Sequence, residues 1–505
     1  MRSKNAIKNL AIYIVYEAFV FILGMIFPRY IILQYGSEIN GLTSTITRIL
    51  SLINLIQAGA VGAAIYQMYK PVAENDFETQ SAILFSSKRY YKRITVIYLI
   101  VAVAVGLFYG LYLQSALLSF FHIFLSFCIL AINGAGTLLF RSICDIYISP
   151  HQKKYYITIG LIAEQIVRYG SIAFVLMQKM HFVYIYISYL LGGITAIIIN
   201  LFFYKKLSKG KITKSPKNQN YVIPDKRFLM LQSIGSEAVT ASPTIIISTF
   251  IGLVESSVFS VYSMVFTSMK TIISSIQLSL SAIFGNLVKT SSDEYIFEVY
   301  DVIELFTIML GCVLSPCVGF LLPPFINLYS AGVADANYYQ FILVVFVVAY
   351  TAVFCFRSSF GYVATVYGLF RFTCKITLIF GGLGIIISLV CSLLFGMPYV
   401  MVGLLFNQIG CSLTILFRLK KEVKWFRVNA IIRRVTLLVI MSCSGILLFV
   451  WVNPRITGWG DWIKYGCLCG AGSILSVFTY CCIFERKQIR KIMSYAKNLI
   501  IKHDS

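Results

Sequence analysis

Phe140-Arg141-Ser142 recurs as Phe356-Arg357-Ser358, about 215 residues further along the chain. Working outward, Pro28 and Gly36 answer to Pro243 and Gly252 at nearly the same offset. Leu201-Phe202 with Lys205-Lys206 answers to Leu416-Phe417 with Lys420-Lys421. Four landmarks in one order at a near-constant offset point to a duplicated half. In a chain that crosses a membrane many times, duplicated halves are a common transporter build, with the substrate held where the repeats meet.

Composition places the chain in the membrane. Of its 505 residues, 58% are hydrophobic and only 12% charged, and the mean hydropathy is +0.81. A soluble domain of this length carries far more charge. Apolar runs long enough to cross a bilayer recur to the end, roughly at 10–34, 38–68, 93–113, 116–147, 154–178, 182–204, 228–252, 256–288, 298–326, 338–368, 372–395, 398–419, 432–452 and 461–484. A barrel would show short alternating segments instead. The first run contains Glu17 and lacks a small-residue cleavage site, so it reads as a retained span rather than a signal peptide. The 13 cysteines lie mostly inside apolar runs and read as small buried hydrophobes, without disulfides or metal.

The basic residues give the orientation. About 34 of the 43 Lys and Arg fall on the N-terminus, alternate loops and the C-terminal tail, whereas the opposite loops carry Lys179, Arg455 and Lys464. Both termini are therefore expected in the cytoplasm. The net charge of +23 reads as a topology signal and an attraction to anionic headgroups, not as a nucleic-acid surface. The expected fold is all-α and polytopic, with about 14 transmembrane helices in two pseudo-symmetric six-helix lobes plus two C-terminal helices. The boundaries are 1–207 for the first lobe, 208–227 for a basic cytoplasmic linker, 228–421 for the second lobe, 422–484 for two further spans and 485–505 for an amphipathic cytoplasmic tail. A second interfacial helix is expected at Val72–Phe85. Pro28, Pro243, Pro316 and Pro323-Pro324 are expected to kink their helices.

Ionisable residues inside spans are costly and mark function by default. The basic set is Arg29, Arg48, Arg141, Arg168, Lys270 and Arg357; the acidic set is Glu17, Asp145, Glu164, Glu237 and Glu304. Glu164 with Arg168, and Arg141 with Asp145, stand four residues apart and can cancel locally. Glu304 sits close to the cytoplasmic end of its span and reads as interfacial. Arg48 and Lys270 lie too deep to snorkel easily. Cations there suit an anionic substrate, phosphate above all, because a guanidinium matches phosphate oxygens in pairs. The substrate-binding candidates are thus Arg29, Arg48, Lys270, Arg357, Arg141 and Arg168. The candidates for a coupling H⁺ or Na⁺ are Glu17, Glu237 and Glu164. No catalytic constellation, nucleotide-binding loop or cofactor motif is present, so no enzyme is expected.

Gly36-Ser37-Glu38-Ile39-Asn40-Gly41-Leu42, an Arg in the next span, and Gln57-Ala58-Gly59-Ala60-Val61-Gly62 lower in it resemble the polysaccharide flippases of the MOP superfamily, the Wzx-type proteins among them. The six-plus-six-plus-two layout and basic mid-linker are similar too. The resemblance implies two six-helix lobes in a V around a central cavity. It implies a substrate of the undecaprenyl-diphosphate-linked oligosaccharide class, carried from the cytoplasmic to the outer leaflet of the bacterial inner membrane by alternating access. Arg29, Arg48 and Lys270 would hold the diphosphate, and spans 13 and 14 would border a groove for the lipid. Partners would be the anionic headgroups, and the polysaccharide polymerase and chain-length machinery. Lipid II flipping and MATE-type drug antiport remain alternatives, with a membrane-embedded glycan transferase below them.

Overall fold

The computed structural model describes residues 2–57, 60–113, 115, 117–212, 226–426, 429–486 and 488. Most of the expected linker and tail lie outside these residues, including the proposed amphipathic helix of 485–505. Among the described residues there is no strand. Sixteen α-helices follow one another among these residues: α1 Arg2–Tyr35, α2 Ser37–Asn54, α3 Ala60–Ala73, α4 Phe77–Tyr112, α5 Phe120–Gly136, α6 Ser142–Ile148, α7 Tyr155–Met177, α8 Val183–Ser208, α9 Lys226–Phe250, α10 Leu253–Thr290, α11 Asp293–Tyr329, α12 Phe341–Val366, α13 Phe370–Phe395, α14 Val400–Glu422, α15 Asn429–Val452 and α16 Trp459–Phe484. A π-helical turn, Thr137–Arg141, joins α5 to α6.

Eleven helical segments among the described residues are long and apolar enough to cross a membrane. The chain is a multi-pass membrane protein. The other three expected spans are helical but more polar; they are α2 with α3, then α9, then α10. Hydroxyls account for the polarity, Thr43, Thr45 and Thr47 on α2 and Thr240, Ser242, Thr244, Ser248 and Thr249 on α9. Such helices gain little from facing lipid, and α2 packs on α9.

By packing, the chain divides inside α10 into Met1–Ser257 and Val258–Ser505. In the N-terminal unit α7 lies along α8, α4 along α5, and α1 along α7. In the C-terminal unit α11 is the central element, packed on α12, α15 and α16, and α13 lies along α14.

The repeat has a local structural counterpart. Pro28 lies inside α1 and Pro243 inside α9. Each helix ends just before its matched glycine, Gly36 at φ 87° and Gly252 at φ 156°. Positive φ is nearly free only for glycine, so both chains reverse there into the next helix. The tripeptide mates differ: Arg141 closes the π turn, whereas Arg357 sits within regular α12.

Two expectations need correction. The span expected at 38–68 is not one helix. Its α-helix ends at Asn54, tightens into the 3₁₀ turn Leu55–Gln57 and resumes at Ala60. Nor is Val72–Phe85 a separate interfacial helix. Asp76 caps Phe77–Tyr112 by accepting from the Thr79 N–H at 3.0 Å, and the helix continues into the span. The cap satisfies a free N–H at the helix start, so the polar first turn belongs to α4.

Gly41 fixes how α2 meets the start of α10. A Cβ there would fall inside the van der Waals shell of the Leu253 carbonyl, a backbone atom that cannot rotate away. Beside it Asn40 Nδ2 donates to Ser257 Oγ at 2.8 Å, and the Thr45 and Ser256 hydroxyls lie 3.3 Å apart. Gly41→Ala is expected to cost about 1–3 kcal/mol through forced backbone movement. Thermal unfolding of the purified protein in detergent measures this. Gly24→Ala, which opens into empty space inside α1, should leave the transition in place or raise it, by no more than about 1 kcal/mol of helix propensity.

Candidate functional site

In the N-terminal unit the polar pair α2 and α9 carries Arg48 and Glu237. Both are half-buried, and Arg48 lies in the electrostatic field of Glu237. Ser51, one turn beyond Arg48, donates its hydroxyl to the Arg48 carbonyl at 2.8 Å and to Glu237 Oε1 at 3.4 Å. A guanidinium, a hydroxyl and a carboxylate thus share one helix interface. Among the described residues Arg48 and Glu237 form no direct ion pair. Arg29 is half-buried on α1. Glu17, on the same helix, accepts a hydrogen bond from the Tyr13 hydroxyl one turn earlier.

A second group gathers where α1, the π turn, α7 and α8 meet. Tyr16 lies in the fields of Arg141, Glu164, Glu17 and Arg168. The expected Glu164–Arg168 pair forms, at 3.8 Å. The Arg168 guanidinium also donates to Gln165 and lies over the Tyr169 and Tyr189 rings at 4.7 and 4.9 Å. Cation–π contact and a carboxylate together hold this arginine in place. The expected Arg141–Asp145 pair does not form. Asp145 accepts from Ser149 one turn on, and Arg141 is instead near Tyr16 of α1. A short local hydroxyl satisfies Asp145 without straightening a long side chain.

In the C-terminal unit Lys270 is half-buried on α10. Arg357 donates to Gln408 Oε1 at 2.7 Å, and Gln408 Nε2 donates to the Tyr350 hydroxyl at 3.2 Å. A neutral amide of α14 therefore tethers an arginine of α12.

The most strongly bonded arginine was invisible in the sequence. Arg434 lies in the first turns of α15, where it counts as one more cytoplasmic positive charge, yet its side chain is 1% exposed. Its Nη2 meets Asp301 Oδ1 at 2.8 Å, and its Nε and Nη2 clasp both oxygens of Glu485 at 3.1 and 3.0 Å. Nη1 reaches Glu304 Oε2 and the Asp301 carbonyl. Arg433 also bonds Glu485, and Gln488 Nε2 donates to Asp301 Oδ2 at 2.8 Å. Glu304, expected to be interfacial, is instead fully buried in this cluster. Three acids at residues 301, 304 and 485 converge only once α11, α15 and the end of α16 are folded together. Among the described residues no three His, Cys, Asp or Glu side chains gather as a metal site requires.

No protein-family model matches the chain, and no curated protein does. Solved structures do. The chain is similar to the lipid II flippase MurJ in an inward closed conformation, at 17% identity and a TM-score of 0.68, covering 94% of this chain and 99% of that one. It is similar to an inward-facing multidrug resistance MATE family transporter of the MOP superfamily, at 11% identity and a TM-score of 0.65, covering 80% and 96%. A eukaryotic MATE transporter, AtDTX14, follows at 12% identity and a TM-score of 0.52, covering 87% and 100%. The fold is that of these transporters.

Two outcomes are expected of the Arg434 cluster. Arg434→Met would leave buried carboxylates without their cation and should destabilise the protein by about 3–5 kcal/mol. Glu485 lies just beyond α16. Burial opposes its charge, but the bonds and charges of Arg434 and Arg433 win and hold it below the ordinary carboxylate range. Its contribution is complete above the unfolded carboxylate value of about 4.3 and lost as pH falls through the lower folded value. Melting temperature followed from pH 7 into this acid range should fall in wild type and less steeply in Glu485→Gln.

Proposed function

We propose that the chain is a flippase that carries a polyprenyl-diphosphate-linked oligosaccharide from the cytoplasmic to the outer leaflet, by alternating access, for surface polysaccharide assembly. The observation that carries this reading is Arg48, a half-buried guanidinium on a polar membrane helix of the N-terminal unit; Lys270, on α10 in the C-terminal unit, is a second half-buried cation. A diphosphate esterified at both ends carries two negative charges, and an arginine offers it paired donors at fixed geometry. A low-dielectric surrounding strengthens that attraction over what the same residues offer in water. Arg29, Arg141, Arg168 and Arg357 are the further proposed contacts. Glu17, Glu237 and Glu164 are the proposed sites for a coupling H⁺ or Na⁺. The proposed setting is a bacterial cytoplasmic membrane with both termini inside, with anionic headgroups and a polysaccharide polymerase and chain-length apparatus as partners.

A second reading has its own support. The lipid II flippase MurJ shares the fold over nearly the whole of both chains, so a lipid-linked cell-wall precursor is the nearest competing substrate. It offers the same diphosphate to the same cations and differs in its sugar.

Transport of a fluorescent polyprenyl-diphosphate oligosaccharide into the protected leaflet of proteoliposomes tests both. Wild type should translocate it. Arg48→Ala and Lys270→Ala, folded by size-exclusion profile and melting temperature, should each lose about tenfold or more, the equivalent of about 1.4 kcal/mol of binding. Movement of cationic dyes instead, with both variants indifferent, would replace this reading with drug antiport. Preference for lipid II over other sugars would select the second reading.

A further inference from the structure

The charge count in the Arg434 cluster does not balance. Among the described residues, two cations, Arg434 and the half-exposed Arg433, face three carboxylates, those of Asp301, Glu304 and Glu485. Glu485 is clasped by both arginines, and Asp301 is held by Arg434 and by the Gln488 amide. Those two acids neutralise the two arginines. Glu304 is the surplus one, and it is 1% exposed.

Its surroundings are also incompletely bonded. Glu304 Oε2 takes its bond from Arg434, but Oε1 is buried with no hydrogen-bond partner among the described residues. So are the hydroxyls of Tyr300, one turn earlier on α11, and of Tyr362 on α12. Both tyrosines lie in the field of Glu304, and their rings are 6.5 Å apart. The groups facing Glu304 are therefore Tyr300 and Asp301 from α11, Tyr362 from α12 and Arg434 with Arg433 from α15. Glu485 and Gln488 approach from beyond α16, and Tyr480 lies on α16 in the field of Glu485 and Arg433.

We propose that Glu304 is a proton-binding site, a buried carboxylic acid whose proton leaves when the Glu485–Arg434 clasp opens. An unbalanced buried charge costs several kcal/mol. A proton on Oε1 removes that charge and gives the buried oxygen a hydrogen of its own. Three unpartnered oxygens are also too few for a hard metal cation, which takes about six or more. The same count couples the proton to movement. If Glu485 withdraws, two arginines face only Asp301 and Glu304. Glu304 then becomes the required counter-ion, its O–H bond breaks, and the proton passes to water. Loading and release are thus tied to whether Glu485 is held by Arg434. The inference does not depend on what the protein transports.

Infrared spectroscopy of the full chain in nanodiscs at neutral pH tests it without substrate. Wild type should show the carbonyl stretch of a protonated acid, shifting in D₂O. The band should vanish in Glu304→Gln. It should also vanish in Glu485→Gln, where Glu304 must ionise. Tyr362→Phe, which removes a phenol beside Glu304 and not beside Glu485, should shift the band. A wild-type protein without the band overturns the proposal, as does a band that survives Glu304→Gln. A band unmoved by Tyr362→Phe places the proton elsewhere and also overturns it. Survival in Glu485→Gln overturns the link to the clasp. If Glu304→Gln does not fold, the wild-type and Tyr362→Phe spectra still decide.

Discussion

Inside hydrocarbon no water is available to accept or donate a hydrogen bond, and the whole chain answers to that constraint. The backbone meets it by being helical in every crossing segment. Polar side chains have to meet it too, and they do so by pairing across helices. Asn40 reaches Ser257, the Tyr109 and Thr249 hydroxyls lie 2.7 Å apart, and Gln408 bridges Tyr350 and Arg357. The hydroxyl-rich α2 and α9 meet it by packing on one another. A helix with the hydroxyls of α2 or α9 is poorly suited to lipid on all sides. Packing α2 on α9 hides those hydroxyls and brings Arg48 next to Glu237.

The arginines show how differently one guanidinium can be housed. Arg168 is held by an acid one turn away, a neighbouring amide and two aromatic faces. Arg357 uses a neutral amide relay. Arg434 takes three carboxylates and a backbone carbonyl. In each the donor fork is largely occupied by protein. Arg48 differs: its carboxylate neighbour acts at a distance and is itself bonded to Ser51. A phosphate bound as proposed above would have less to displace there. The ordering of candidates therefore follows from how much of each fork is already engaged, and depth in the membrane adds to it.

Much of this fold could be read from residue order. Pro28 with Gly36 and Pro243 with Gly252 marked equivalent helix–turn units because a positive-φ reversal needs glycine, and the backbone there has that conformation. The Glu164–Arg168 pair was legible from helical spacing alone. The same spacing misled for Arg141 and Asp145, because a serine four residues further competed for the carboxylate. The helix break after Asn54 was hidden because side-chain polarity along a span reports what it faces and not its backbone hydrogen-bond pattern. Arg48 and Glu237 could each be singled out as ionisable residues in spans. That they face one another across α2 and α9 is a matter of tertiary packing, which no local spacing encodes.

Arg433 and Arg434 make the same limit concrete at one dipeptide. Adjacent residues on a helix point about 100° apart, so one can be half-exposed while the next is 1% exposed. A count of basic residues by loop treats them alike. The distinction matters because α15 and α16 are broadly apolar on their outer faces, with Ile432, Val439, Leu447, Leu475 and Phe478 exposed. Apolar surface gives no driving force between helices in lipid, where tails are as apolar as leucine. Something directional has to select the docking position of these helices on α11. At one end it is the Arg434 cluster; further along, the Trp462 indole donates to the Leu321 carbonyl at 3.0 Å. Between these polar fixings Gly445 lies against the Pro316 backbone and allows the close approach of α15 to α11. The pair of helices is therefore held by a few directional contacts on a nonselective apolar surface. Such an attachment depends on the charges at the Arg434 end far more than their small share of the residues suggests.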